Sequence, residues 1–330
     1  MTAKALIPLA LERLECNQTE LANKLGVSRA QVTKWKNGEF MSLEMEKSLL
    51  KMIGLEEGDI PELIILVGGE EQVKKWSLLV EFEASRALDN SETGYHTYPL
   101  EIYGDARYLT FSILSTLNSA GAEIPRAFPT ELDFDYRTAL DTDNHTEWER
   151  VLEILEANPY SSLVGRCFNV LTDLYGFYLA YMDDAMDSLI DVKGFSDSGI
   201  ENIEPCLIEL ALAKVEGQTS VCKDIERFRR KTFNNYGDWL VEFKKLSYEN
   251  GIPMKVEVMT LLHNHHDAIG VSAERESMGF NSAQIHPDIY MNELIQGMRL
   301  IHQVLPIICE KLDITEQELK INLQELTSRG

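Results

Sequence analysis

The chain has 330 residues, 44% of them apolar and 26% charged, as expected of a globular protein long enough for two domains and a sizeable core. Its 54 acidic residues against 31 basic ones leave a net charge of −23. Such a field repels nucleic acid as a whole and excludes a uniformly basic nucleic-acid binder, so any contact with phosphates must come from a local patch.

No stretch approaches the roughly 20 apolar residues of a spanning helix, and Pro8, Glu12 and Arg13 interrupt the early apolar residues where a signal peptide would need them. A soluble, cytoplasmic protein without a membrane partner is expected. Cys16, Cys167, Cys206, Cys222 and Cys309 are odd in number and form no CxxC pair, which reads as buried free thiols in a reducing compartment.

From the N-terminus, Ala5 to Leu14 carries Leu6, Leu9, Ala10 and Leu14 on one side of a first helix. Gln18 to Gly38 then reads as two short helices packed at a steep angle. Leu21, Ala22 and Leu25 give the first a small apolar face, and Gly26 stands where a helix end needs positive φ. Val27 is expected as the buried plug of the turn and Ser28 as the N-cap of the next helix. That helix, Arg29 to Lys36, buries Val32 and Trp35 and turns Arg29, Gln31, Thr33, Lys34 and Lys36 outward, with Asn37-Gly38 ending it. Small Ala22 sits where two helix backbones come close.

Gln18, Leu21-Ala22, Leu25-Gly26-Val27-Ser28, Val32, Trp35 and Asn37-Gly38, in order and without a gap, resemble the helix-turn-helix of the lambda-repressor-like (Cro/Xre) DNA-binding family. The likeness extends over about residues 3 to 55, no more than the first sixth of the chain. It implies a DNA-binding domain of four or five helices over residues 1–58, with the Arg29–Lys36 helix in the major groove. Ser28, Arg29, Ala30 and Lys34 match positions that approach base edges, with Gln31 and Thr33 beside them. Gln18, Lys36 and Asn37 match phosphate contacts. Lys24, Arg29, Lys34 and Lys36 oppose only Glu20 in this stretch, so positive charge gathers where phosphates would lie. Residues 1 to 60 together hold eight bases and nine acids, net −1, which leaves −22 for the remainder. One departure is Glu39-Phe40-Met41, an acidic loop where the family usually has a basic or proline-containing one.

Ser42 then caps a helix with Met45, Leu49, Met52 and Ile53. Glu56-Glu57-Gly58-Asp59 marks the domain boundary, and Ile60 to Val67 is a hinge helix, a short strand or part of the next core. Helical patterns follow over Glu70 to Leu88, Asp105 to Ala120 and Trp148 to Leu155. Ser161 to Ile190, long and apolar, is the candidate central helix. Cys206 to Val215, Val221 to Tyr248, Met254 to Ala268, Ile289 to Lys311 and Glu316 to Leu326 complete the set. Strand alternation is thin and no fixed repeat is present. An all-α fold is expected, with residues 59–330 forming an α-helical regulatory and oligomerisation domain.

Walker-type loops, GxSxG, HExxH and paired CxxC are all missing, so neither catalysis nor a cofactor is expected. The histidine cluster LLHNHHDAIG offers the one weak metal candidate. If helical, His263, His266 and Asp267 share a face at i, i+3 and i+4; a polar helix end is the plainer reading. The doublet is similar to that of HD-type metal-dependent phosphohydrolases, whose further ligands have no placed counterpart here. Asp183, Asp184, Asp187 and Asp191 read as a solvated acidic helix end, and Arg227, Arg229, Arg230 and Lys231 as the one basic cluster of the large domain. The expectation is a transcriptional repressor, homodimeric through a segment including Met291 to Lys311, binding double-stranded DNA and responding to a small-molecule, peptide or protein effector. The alternative is an antitoxin or immunity regulator whose acidic domain grips a partner protein.

Overall fold

The computed structural model describes residues 3–56, 58–136, 145–199, 203–217, 219–280, 287–312 and 314. Among them the architecture is all-α, as the patterns require: helices throughout and no strand, apart from isolated bridge positions such as the antiparallel pair Ala122 and Cys222. No helix among the described residues is long and apolar enough to cross a membrane. Cys16, Cys167, Cys222 and Cys309 are free thiols, although Cys16 is only half-buried; nothing is described of the Cys206 side chain.

Five short helices open the chain: α1 (Ala3–Arg13), α2 (Gln18–Leu25), α3 (Arg29–Lys36), α4 (Leu43–Met52) and α5 (Pro61–Val67). Leu6, Ile7, Leu9 and Ala10 bury one side of α1, which packs on α2, α3, α4 and α5. Pro61 opens α5 at the first turn, where its missing N–H has no helical acceptor to lose, and Gly68 closes it at φ 88°. The short apolar segment is therefore a helix, and it packs both on α1 and on the helices over Glu70–Asp89 and Ala106–Ser119. Arg13 bridges the same junction, donating from Nη1 to the Ile53 carbonyl at 2.9 Å and pairing through Nη2 with Glu70 at 2.6 Å.

Beyond lie α6 (Glu70–Asp89), α7 (Pro99–Tyr103), α8 (Ala106–Ser119), α9 (His145–Ala157) and α10 (Pro159–Tyr181). The last third holds α11 (Asp183–Leu189), α12 (Phe195–Ser198), α13 (Ile203–Lys214), α14 (Ile225–Asn250), α15 (His266–Ser277) and α16 (Pro287–Leu312). The expected central helix is central: α10 packs on α6, α13 and α15 and buries residues on every side, Phe168, Leu171, Leu174 and Phe177 among them. Close approach needs small residues. A Cβ on Gly165 would stand 2.6 Å from Glu83 Oε2 of α6, and one on Gly176 would stand 2.5 Å from the Thr93 Cβ. Glu83 itself is fully buried; burial pushes its carboxyl up, against Arg86 at 2.6 Å and the Ser161 hydroxyl at 3.1 Å.

Three expected helices have different limits. Ser161 to Ile190 is not one helix: it starts at Pro159, capped by Asn158, and breaks at Met182 (φ −120°) before α11. Lys255 Nζ takes up the Ala180 carbonyl at 2.6 Å, satisfying an acceptor that the break leaves without its helical partner. Val221 to Asp224 is turn rather than the start of α14, because this stretch lies along Gly121, where Asp224 N donates to the Ala120 carbonyl at 3.0 Å. Met254 to Ala268 is a 3-10 turn over Val256–Thr260, then a bend, then α15 starting at His266 with His265 as its N-cap. The expected helix over Glu316 to Leu326 lies outside the described residues.

Candidate nucleic-acid interface

The local signals of the Gln18–Gly38 stretch act as read. Asn17 Oδ1 accepts from Thr19 N at 2.9 Å and Glu20 N at 3.1 Å, while Glu20 Oε2 accepts from Asn17 N at 2.9 Å. This reciprocal capping box was missed in the sequence, where Asn17 three residues before Glu20 was its signal. Gly26 ends α2 in the left-handed region at φ 67°, and its amide and that of Val27 return to α2 carbonyls. No atom lies within 4 Å of a Cβ built on Gly26, so the requirement there is backbone conformation alone. Ser28 Oγ caps α3 by accepting from Gln31 N at 3.2 Å. Val32 and Trp35 are buried, and the Trp35 indole donates to the Phe40 carbonyl at 3.2 Å, fixing the chain after α3. Val27 departs from expectation: it is half-buried, packed at the edge of the core rather than sealed inside it.

The face of α3 left outside the core carries Arg29, Ala30, Thr33, Lys34 and Lys36, with Ser28 before it and Asn37 after it also exposed; Gln31 is half-buried. Gln18 reaches across from α2, its Oε1 accepting from Thr33 Oγ1 at 3.2 Å, so these two residues join the helices to each other. Among the described residues, Arg29 and Lys36 form no ion pair. Lys34 pairs with Glu39 at 3.4 Å, both side chains 55% exposed, a contact that water screens and that holds little energy. The acidic loop thus shields one of the cations. Phe40 (88% exposed) and Leu43 (63%) flank the same end of α3. The sequence shows them as linker and helix start, and two bulky apolar side chains in a polar connection are the signal of their exposure.

No family model, curated protein or solved structure matches the chain. The exposed face of α3 differs from the other charged clusters. Arg229 donates to the Ala213 carbonyl of α13 at 3.1 Å and to that of Val215, just past its end, at 2.7 Å, and pairs with Glu226 at 2.8 Å. Arg227, Arg230 and Lys231 are exposed, as are Asp184, Asp187 and Asp191.

The histidines do not share a helix face as expected, because α15 starts only at His266. His263 is exposed in the preceding turn, and the cluster formed is His265, His266 and Asp267 with Asp173 of α10, whose Oδ2 lies 2.8 Å from His266 Nδ1. Asp173, 93 positions away in the chain, carried no sequence signal. A cavity of about 660 Å³ opens on one side of His266, lined also by Lys214, Arg229, Phe233 and His265. Burial pushes the Lys214 ammonium down to about 8, and it donates to the Leu262 and Asn264 carbonyls at 3.2 and 2.7 Å.

Proposed function

We propose that this chain is a sequence-specific DNA-binding transcriptional regulator, acting as a repressor, with α3 entering the major groove of its operator. The observation that carries the reading is the exposed face of α3. In a chain of net charge −23 it presents Arg29 and Lys36 without ion-pair partners among the described residues, on a helix whose own caps and buried Val32 and Trp35 hold it outward. Arg29 and Lys34 donate to base edges, Ser28 and Ala30 lie against them, and Gln18, Lys36 and Asn37 hold phosphates. Gln31 and Thr33 line the same helix.

One motif of this size buries little surface, and repressors of this geometry pair two on half-sites about one helical turn apart. The pairing is assigned to α16. Leu294, Met298, Ile301, Leu305, Ile308 and Leu312 recur at alternating steps of four and three, and all six are at least 41% exposed. That is the seam of a two-stranded coiled coil, whose natural cover is the same seam on a second copy. The remainder of the large domain senses an effector, a small molecule, peptide or protein, from the cytoplasm. A second reading, an antitoxin or immunity regulator, is favoured by the −22 charge outside the first 60 residues, which suits a basic protein partner.

Binding of the full-length protein to DNA from upstream of its own gene, across a salt series, tests the reading. Specific, salt-sensitive binding lost in Arg29→Ala/Lys34→Ala is expected. Arg29→Ala alone should cost about 1–3 kcal/mol and relax sequence preference, whereas Lys36→Ala should weaken all sequences alike and flatten the salt slope. Absence of binding to any genomic fragment, with a basic protein co-purifying at fixed stoichiometry, would favour the second reading instead.

A further inference from the structure

Four side chains of metal-ligand type meet where α15 begins. His266 Nδ1 lies 2.8 Å from Asp173 Oδ2 and 3.1 Å from Asp267 Oδ1, and His265 Nδ1 lies 3.2 Å from Asp267 Oδ2. The two imidazole centroids are 4.4 Å apart. One ligating atom from each of His265, His266 and Asp267 lies within 4.8 Å of the other two. Bonds of 2.0–2.2 Å to nitrogen and oxygen place neighbouring donors of a tetrahedral ion about 3.4 Å apart. The 3.1 and 3.2 Å spacings to Asp267 approach such edges, whereas the 2.8 Å one is the hydrogen bond by which Asp173 orients the His266 ring.

Two features show that the arrangement is built into the packing. Gly270 lies one turn beyond His266 against α10, and a Cβ there would stand 2.9 Å from Asp173 Cγ. Only glycine lets α15 ride close enough for His266 to reach Asp173. Outside the cluster, Glu216 Oε1 lies 3.1 Å from His265 Nε2. With Nε2–H given to that carboxylate, Nδ1 presents a lone pair; it accepts the long 3.3 Å hydrogen bond from Asp267 N. The Asp267 carboxylate lies 3.2 Å from the same nitrogen, so an ion bound between them would take over the electron pair that otherwise makes this long cap. A carboxylate behind a histidine is also the usual device for orienting a ligating ring. Asp173 and His266 form the buried wall, 20% and 18% exposed, while His265 and Asp267, 40% and 74% exposed, leave an entry path.

We propose that His265, His266 and Asp267 hold a divalent first-row transition-metal ion, zinc fitting the mixed nitrogen and oxygen donors best, with Asp173 behind His266 and Glu216 behind His265 as positioning residues. Magnesium and calcium, which prefer all-oxygen shells, are excluded by the imidazoles. Asp173 ties the site to α10, and Glu216 ties it to the segment after α13. The site stands independently of the DNA-binding reading.

The test uses full-length protein stripped with chelator and titrated with Zn²⁺ by calorimetry and with Co²⁺ by visible absorption. One ion per chain is expected. Affinity should fall at least tenfold in His265→Ala, His266→Ala and Asp267→Asn, and about tenfold in Glu216→Gln. His263→Ala, an exposed histidine outside the cluster, should bind as the wild type does. Should His266→Ala fail to fold, the exposed His265 and Asp267 variants carry the test, with circular dichroism confirming their helicity. Substoichiometric zinc in the wild type, unchanged affinity in His265→Ala and Asp267→Asn, or equal competition by Mg²⁺ would overturn the proposal.

Discussion

Helices α10 and α16 are both long and apolar, 23 and 26 residues, and they meet opposite fates. Around α10 every side is covered by α6, α13 and α15, and glycines at 165 and 176 let α6 and the Asn90 to Tyr98 connection come to contact distance. On α16, ten large apolar side chains between Leu294 and Leu312 are at least 38% exposed. Hydrophobicity alone therefore does not tell a core helix from a docking helix. The difference is in how the apolar residues are arranged: small residues where backbones must touch in α10, and a steady alternation of fours and threes in α16.

The contrast can be broken experimentally, most strongly in α10. Phe168→Ala should cost about 3–5 kcal/mol of unfolding free energy, because its side chain is fully buried among helices that cannot collapse onto the gap. Urea unfolding measures it, and a loss below one kilocalorie would mean that α10 is not the centre of the fold. Gly176→Ala should cost about 1–3 kcal/mol, since the added methyl would overlap Thr93 and force the Asn90 to Tyr98 connection outward. The corresponding change on α16 is one of assembly. Ile301→Lys/Ile308→Lys should halve the mass seen by light scattering and remove the concentration dependence of the unfolding midpoint that a dimer confers. A variant still at wild-type mass would assign the pairing to another surface.

Smaller effects sharpen the electrostatic side. Glu39→Gln should modestly raise DNA affinity by freeing Lys34 and removing one acid from the interface, read as a shift in the binding midpoint at low salt. Lys214, at the end of a helix that packs on α10, has its pKa pushed below the free amine value by burial. A base lowered in the fold costs stability while it is charged, and that cost is relieved as pH rises through the window between the folded and unfolded values. Relative to Lys214→Met, the wild type should gain stability from about pH 8 to about pH 10.5. A flat difference across that window would place the ammonium in solvent.

Cations show the same division as the apolar helices. Arg29 and Arg229 are equally charged and both lie near a helix start, yet Arg29 is exposed and without an ion pair among the described residues, while Arg229 serves three acceptors. The basic cluster at Arg227 to Lys231 was legible as charge, but the role of Arg229 depended on where the α13 carbonyls come to rest. Likewise, His265, His266 and Asp267 were visible as a cluster, whereas their register was misread by continuing a helix through Met254 to Ala268.

What the sequence determined by itself was local. The limits of α2 and α3 follow from Asn17, Gly26, Ser28 and Asn37, because a cap satisfies amides and carbonyls within four residues and needs no distant partner. The all-α class and the central place of α10 follow from apolar periodicity, which reports burial without saying against what. Tertiary structure alone decided the break at Met182, where Lys255 supplies a donor to the α10 end, and the meeting of Asp173 with His266 across 93 positions. It alone decided which cations remain free. In each case the deciding partner lies far along the chain, and its position is set by packing that no window of neighbouring residues contains.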